Sequence, residues 1–267
     1  MKLTVLTDNT TRIDAYYLAE PGVCYYLEDG EEKILFDTGY SDVYLRNAEK
    51  MGIDLKKLSA IVFSHGHDDH TRGLLYFPET AEKITVCAHP GVLEQKRCDG
   101  LSIGMPMARE ELEKRFTLKL SREPMQLSEH LTYLGEIPCT VDFEGKEPIG
   151  ERFDGQNWQP DYMLDDSSLI YRGEEGLWII AGCSHAGICN IIDYAKKVCG
   201  EERICGVIGG FHLLEMTPRV GKTAEYLKNI KPKHLCPCHC TSFHARAAIH
   251  QRVPVEEVCV GDTMTLR

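Results

Sequence analysis

Short stretches of alternating apolar and polar residues open the chain. LTVLT (3–7), VCYYLED (23–29) and KILFDTG (33–39) each predict a strand, with Asp29-Gly30 as a hairpin turn. A second pattern then recurs: an apolar run reads as a buried strand, ends in a turn bearing Gly or Ser together with Asp, His or Cys, and gives way to an amphipathic helix. ILFDTG leads to a helix near Ser41 to Met51, with Ser41 as N-cap and Gly52 just past its end. AIVFS (60–64) leads into a histidine-rich turn. LWIIAGCSHAG (177–187) precedes a helix carrying Ile188, Ile191, Ile192, Ala195 and Val198, closed by Gly200. CGVIGGFH (205–212) comes before Thr217-Pro218, a cap and first-turn pair, and the stripe Val220, Thr223, Ala224, Leu227. HLCPCH (234–239) is followed by Thr241-Ser242 and a helix through about Ile249.

This alternation predicts an α/β fold. Ligands of such folds bind beyond the carboxyl ends of strands, where side chains converge and helix N-termini add positive potential, so the five turns predict one shared site. Between Pro90 and about Asp165 the rhythm lapses into a Met- and Gly-bearing stretch, a charged helix (Ala108 to Phe116) and a loop rich in Gly, Asp and Pro. The expectation is a single domain over residues 1–267, with 90–165 as an insertion that caps the site and shapes substrate choice.

Composition narrows the partners. With 267 residues and 43% hydrophobic content the chain can bury a sizeable core. Thirty Lys plus Arg against 41 Asp plus Glu give a formal charge of −11, with no Lys/Arg-rich run, so neither nucleic acid nor an anionic membrane surface is expected as a partner. The apolar stretch of MKLTVLTDNT is too short for a signal-peptide core or a membrane span, which predicts a cytoplasmic protein. Twelve cysteines in such a chain read as reduced thiols rather than a disulfide framework. Oligomeric state has no signature here.

The chemistry concentrates in His65-Gly66-His67-Asp68-Asp69-His70. Two histidines two apart at a strand end can grip one cation, while an Asp and a His starting the next turn point to a second one a few ångströms away. A merely polar surface loop is the alternative; six residues of this composition directly after a buried strand argue against it.

This stretch resembles the H-x-H-x-D-H signature of the metallo-β-lactamase fold superfamily. Asp37 in FDTG sits where that superfamily keeps an aspartate that buttresses the metal loop, and His239 resembles its terminal strand-end histidine. GCSHAG (182–187), GGFH (209–212) and PCHCT (237–241) look like the subgroup named after 7,8-dihydropterin-6-methyl-4-(β-D-ribofuranosyl)aminobenzene-5′-phosphate synthase. The resemblance implies a four-layer αββα sandwich around a dinuclear site. It implies two divalent metal ions, zinc first, with manganese or iron also suited to imidazole and carboxylate donors. His65 and His67 would bind the first metal, and Asp69, His70 and His239 the second. The superfamily's usual mid-chain Gly-His-Thr ligand has no counterpart between 90 and 165, and His185 is the candidate replacement. Cys183 falls where hydrolytic members keep a bridging aspartate, and is either a thiolate ligand or a buried thiol. Asp69 would orient the attacking water; His212 would contact the substrate or support a ligand.

These residues point to a metal-dependent hydrolase, a phosphoesterase acting on a small anionic phosphorylated metabolite, with a synthase-like transferase as the alternative. A di-iron redox protein would be expected to bring a further acidic ligand at position 67, which is His, and a ligand sensor would be expected to have lost ligands. The lone Asp-Thr-Gly cannot pair carboxylates as aspartic proteases do. Strand alternation would turn Cys238 away from Cys236 and Cys240, against a separate cluster there.

Overall fold

The alternating segments at the start of the chain pair with one another, and the strand-turn-helix units follow. In order, the chain forms β1 (Lys2–Thr7), β2 (Cys24–Asp29), β3 (Glu32–Phe36), α1 (Val43–Lys50), β4 (Ala60–Val62), α2 (Asp68–Thr71), β5 (Thr85–Ala88), β6 (Lys96–Cys98), β7 (Leu101–Ser102), α3 (Arg109–Arg115) and β8 (Thr117–Leu120). It continues with β9 (Met125–Gln126), β10 (Leu131–Tyr133), β11 (Glu151–Phe153), β12 (Trp158–Pro160), β13 (Ser168–Gly173), β14 (Gly176–Ala181), α4 (Ile188–Cys199), β15 (Ile204–Gly209), α5 (Pro218–Ile230), β16 (His234–Pro237), α6 (Phe243–His250) and β17 (Thr263–Thr265). The structure is a computed structural model and describes all 267 residues.

The chain packs as two units. The first comprises Met1–Arg122, Pro148–Asp165 and Cys259–Thr265. Its seven-stranded sheet has the order β17-β1-β2-β3-β4-β5-β8, antiparallel from β17 to β3 and parallel from β3 to β8. Strand β17 arrives from far along the sequence to pair with β1, Leu3 facing Met264. A four-stranded sheet, β12-β11-β6-β7, belongs to the same unit. Leu6, Leu35, Ile61, Phe63 and Val86 pack with Tyr44 and Ala48 of α1 and Leu112 of α3 into this unit's core. Each such buried aliphatic side chain contributes about 1.5–3 kcal/mol.

The second unit comprises Glu123–Glu147, Asp166–Val258 and Leu266–Arg267. Its six-stranded sheet has the order β16-β15-β14-β13-β10-β9, and β14, β15 and β16 run parallel, with Ile180, Ile208 and Cys236 in register. Ile188, Ile191, Ile192 and Ala195 of α4, with Val220, Ala224 and Leu227 of α5, close its core. These are the apolar stripes read from the sequence.

Caps fall near their predicted places. Helix α4 ends at Gly200 in the left-handed conformation, α5 starts from Thr217 with Pro218 in its first turn, and the Ser242 side chain accepts from Ala245 N at the start of α6. Helix α1 begins at Val43 rather than Ser41, because the Ser41 hydroxyl accepts from Val43 N and donates to Glu20 (2.5 Å), holding residues 41 and 42 outside the helix. The stretch 90–165 carries the predicted charged helix as α3. It also holds strands of two to four residues, too short to show a period in sequence, and it is divided between the units at residues 123–147. No helix is long and apolar enough to cross a membrane.

Buried Asn47 ties α1 to the backbone around it: its Nδ2 donates to Leu6 O and Leu18 O, both 2.8 Å, and its Oδ1 accepts from Leu18 N. Asn47→Ala leaves these groups without partners and should lower unfolding stability by about 2–4 kcal/mol, read as a lower urea midpoint.

Candidate metal centre

In the first unit the ligand-type residues stand on the turn between β4 and α2. The buried strand delivers Ser64 and His65 at its carboxyl end, and α2 begins at Asp68 with His67 as its N-cap. One carboxylate sets this turn. Asp37, fully buried at the end of β3 with φ of +60°, accepts from Ser64 N and Ser64 Oγ (2.7 Å each) and bonds His70 Nδ1 at 2.7 Å. His70 thereby points Nε2 toward Asp69 Oδ2, 3.5 Å away. A carboxylate on the far nitrogen of an imidazole is the usual support of a metal-ligating histidine.

The rings converge. His65 lies 4.8 Å from His67 and 4.2 Å from His70 between centroids, and all three are buried. Burial drives the His67 pKa down from 6.5 to about 4, so its imidazole is neutral at pH 7, the form that binds a cation. Asp69 is the least buried of the group, with its side chain 31% exposed.

A second anchor was not foreseen from the sequence. Gly66 N donates to Asp165 Oδ2 (2.8 Å), whose other oxygen pairs with the buried ammonium of Lys96 (2.9 Å); Lys96 also pairs with Asp161 (2.5 Å). A Cβ at Gly66 would come within 2.8 Å of Val92 O, so only glycine fits between the turn and this clamp. Both acids and the lysine come from the stretch read as a cap.

In the second unit the donors stand at the carboxyl ends of β14, β15 and β16. Cys183, Ser184 and His185 follow β14, His212 follows β15, and His239 and Cys240 follow β16. Ser184, His212 and His239 all have positive φ, at 56°, 46° and 48°. Cross-bonds hold these turns together: Ser184 Oγ donates to Gly210 O (2.7 Å), Gly210 N to Gly182 O (2.8 Å) and Phe211 N to Thr241 Oγ1 (3.0 Å). The His185 and His212 rings lie 4.4 Å apart. Donor atoms of Cys183, His212 and Cys240 all lie within 4.8 Å of one another. Burial pushes the Cys240 thiol up, but hydrogen bonds from Cys183 and His212 and the nearby His239 outweigh it and bring the thiol well below its ordinary range. Of the three cysteines 236, 238 and 240, whose separate cluster the sequence argues against, only Cys240 joins this group; Cys236 and Cys238 are buried and stay out of it.

Residues 18–186 match the sequence pattern of the metallo-beta-lactamase superfamily. The chain belongs to this superfamily. It is 30% identical to the 7,8-dihydropterin-6-methyl-4-(β-D-ribofuranosyl)-aminobenzene-5′-phosphate synthase of Methanocaldococcus jannaschii, covering 92% of this chain and 89% of that one. An uncharacterized protein of the same organism is 32% identical over 93% of this chain and 94% of its own length. A crystal structure described as Tm1679, a metal-dependent hydrolase of the β-lactamase superfamily, superposes with a TM-score of 0.87 at 30% identity, covering 100% of this chain and 99% of that one. The α/β architecture is therefore the metallo-β-lactamase fold, and buried imidazoles, one of them braced by a carboxylate, suit the divalent metals that members of this superfamily bind.

Two outcomes follow for the turn after β4. Lys96→Met strands Asp161 and Asp165 as buried carboxylates and should destabilise the protein by about 3–5 kcal/mol in chemical denaturation. With a chelator present, stability should rise with pH between about 4 and 6.5, where the unfolded chain binds a proton on His67 and the folded one does not. The change is about 3 kcal/mol for such a shift, and His67→Ala should flatten it.

Proposed function

We propose that the protein is a metal-dependent enzyme that cleaves a phosphoester bond in a small anionic metabolite. The carrying observation is the turn of residues 64–70, where Asp37 holds Ser64 and His70 and three buried imidazoles gather beside Asp69 in a member of the metallo-β-lactamase superfamily. In this reading His65, His67 and His185 serve one divalent cation, and Asp69, His70 and His239 a second. When bound, such a pair would supply Lewis acidity toward a phosphoryl oxygen and lower the pKa of a bound water.

The chain's own groups do the rest. Asp37 keeps His70 in one tautomer and orientation, burial keeps His67 unprotonated, and Asp69 presents an oxygen to orient the attacking water and take up its proton. The net charge of −11 does not repel an anionic substrate here, since two divalent ions dominate the local field. The hydrolase relative of known structure supports hydrolysis. The archaeal synthase supports a second reading, in which the same centre promotes joining of a dihydropterin to an aminobenzene ribofuranosyl phosphate.

Metal analysis with activity assays separates these readings. The zinc- or manganese-loaded protein should hydrolyse bis(4-nitrophenyl) phosphate, and His67→Ala should lose this by at least about 100-fold while keeping the native circular dichroism spectrum. Product formation only from a dihydropterin donor and an aminobenzene ribofuranosyl phosphate would establish the synthase instead. His185→Ala should lower the bound-metal stoichiometry; an unchanged value would remove His185 from the ligand set.

A further inference from the structure

Three neighbouring parallel strands end in three donors of another kind. Cys183 follows β14, His212 follows β15 and Cys240 follows β16, and the register of Ile180, Ile208 and Cys236 brings the three turns side by side. The sheet therefore gathers two sulfurs and an imidazole within 4.8 Å of one another. Backbone bonds fix the group: His212 N donates to Cys240 Sγ (3.3 Å) and Cys240 Sγ contacts Cys183 O (3.6 Å). A Cβ on Gly210 would lie 2.4 Å from Cys240 Sγ, so glycine there leaves room for the sulfur. The buried Nδ1 of His212 has no hydrogen-bond partner. Cys183 is 3% exposed, and Cys240 and His212 are partly buried residues.

We propose that Cys183, His212 and Cys240 form a further binding site, with two sulfur donors and one nitrogen donor, for a thiophilic cation such as zinc or cadmium. Two thiolates and one imidazole favour soft, d-electron-rich cations over magnesium or calcium. A tetrahedral zinc with bonds of about 2.0–2.3 Å holds its donors roughly 3.5–4 Å apart, which a small side-chain adjustment reaches from the observed spacing. Binding sends any proton still held by the two sulfurs to solvent and leaves a fourth position for water or an anion. A ligand role replaces the substrate contact expected of His212 from the sequence. Cys183 is also a candidate ligand of the centre proposed above, so the two sites can share that sulfur, whereas His212 and Cys240 belong to this one alone.

The test is a cadmium titration of the reduced, metal-stripped full chain, read by the thiolate-to-cadmium absorption band in the ultraviolet. The band should appear in the wild type, fall to about half in both Cys240→Ser and Cys183→Ser, vanish in the double variant, and persist in His67→Ala and in Cys139→Ser, which alters an exposed thiol elsewhere. A band unchanged in Cys240→Ser, or lost with Cys183→Ser alone, overturns the three-residue site. Iodoacetamide footprinting of the wild type makes the test independent of whether the variants fold. Cadmium should protect Cys183 and Cys240 together, whereas labelling of Cys240 undiminished by cadmium, or a Cys183–Cys240 disulfide in the metal-stripped protein before reduction, overturns the proposal.

Discussion

The buried carboxylate of Asp37 is the constraint on which the rest of the first unit's chemistry depends. An ionised group without solvent is tolerated only when its lone pairs are met, and here Ser64 N, Ser64 Oγ and His70 Nδ1 meet them at 2.7 Å each. The partners are the entry and the far end of the same turn, so satisfying one charge also sets the loop's path and the ring of His70. The left-handed backbone at Asp37 is a local strain accepted to aim that carboxylate.

The two units solve the same problem by different means. The first braces its turn with charge: Asp37 from below, and the Lys96, Asp161 and Asp165 group through Gly66 N. The second braces its turns with one another, since Ser184, Gly210, Phe211 and Thr241 trade hydrogen bonds between adjacent strand ends. Both remove freedom from side chains that would otherwise have to be ordered when a cation or substrate arrives, and that ordering is a main cost of binding.

Much of this was legible in the sequence because strand-end chemistry leaves a local mark. Apolar runs followed at once by His, Asp or Cys revealed five donor-bearing turns, and helix stripes such as Val220, Thr223, Ala224 and Leu227 fixed which face is buried. The Lys96 clamp was not legible, since Lys96 sits in the polar run EQKRCDG and its partners lie more than sixty residues away, a pairing no local pattern encodes. As the sequence suggests, the three cysteines 236, 238 and 240 do not form a cluster, but for a different reason from strand alternation. Alternation of faces holds only within a strand, and β16 stops at Pro237, so Cys238 and Cys240 are aimed by a turn instead.

The pairing of β17 with β1 bears on how the polypeptide is made. As the chain leaves the ribosome, β1, β2 and β3 can join early, yet the outer edge of β1 keeps its amide and carbonyl groups unpaired until the residues around Val260 to Thr265 emerge. The entire second sheet is synthesised during that interval. The first sheet thus spends most of translation with an adhesive border, which favours holding nascent chains apart until the final strand closes it.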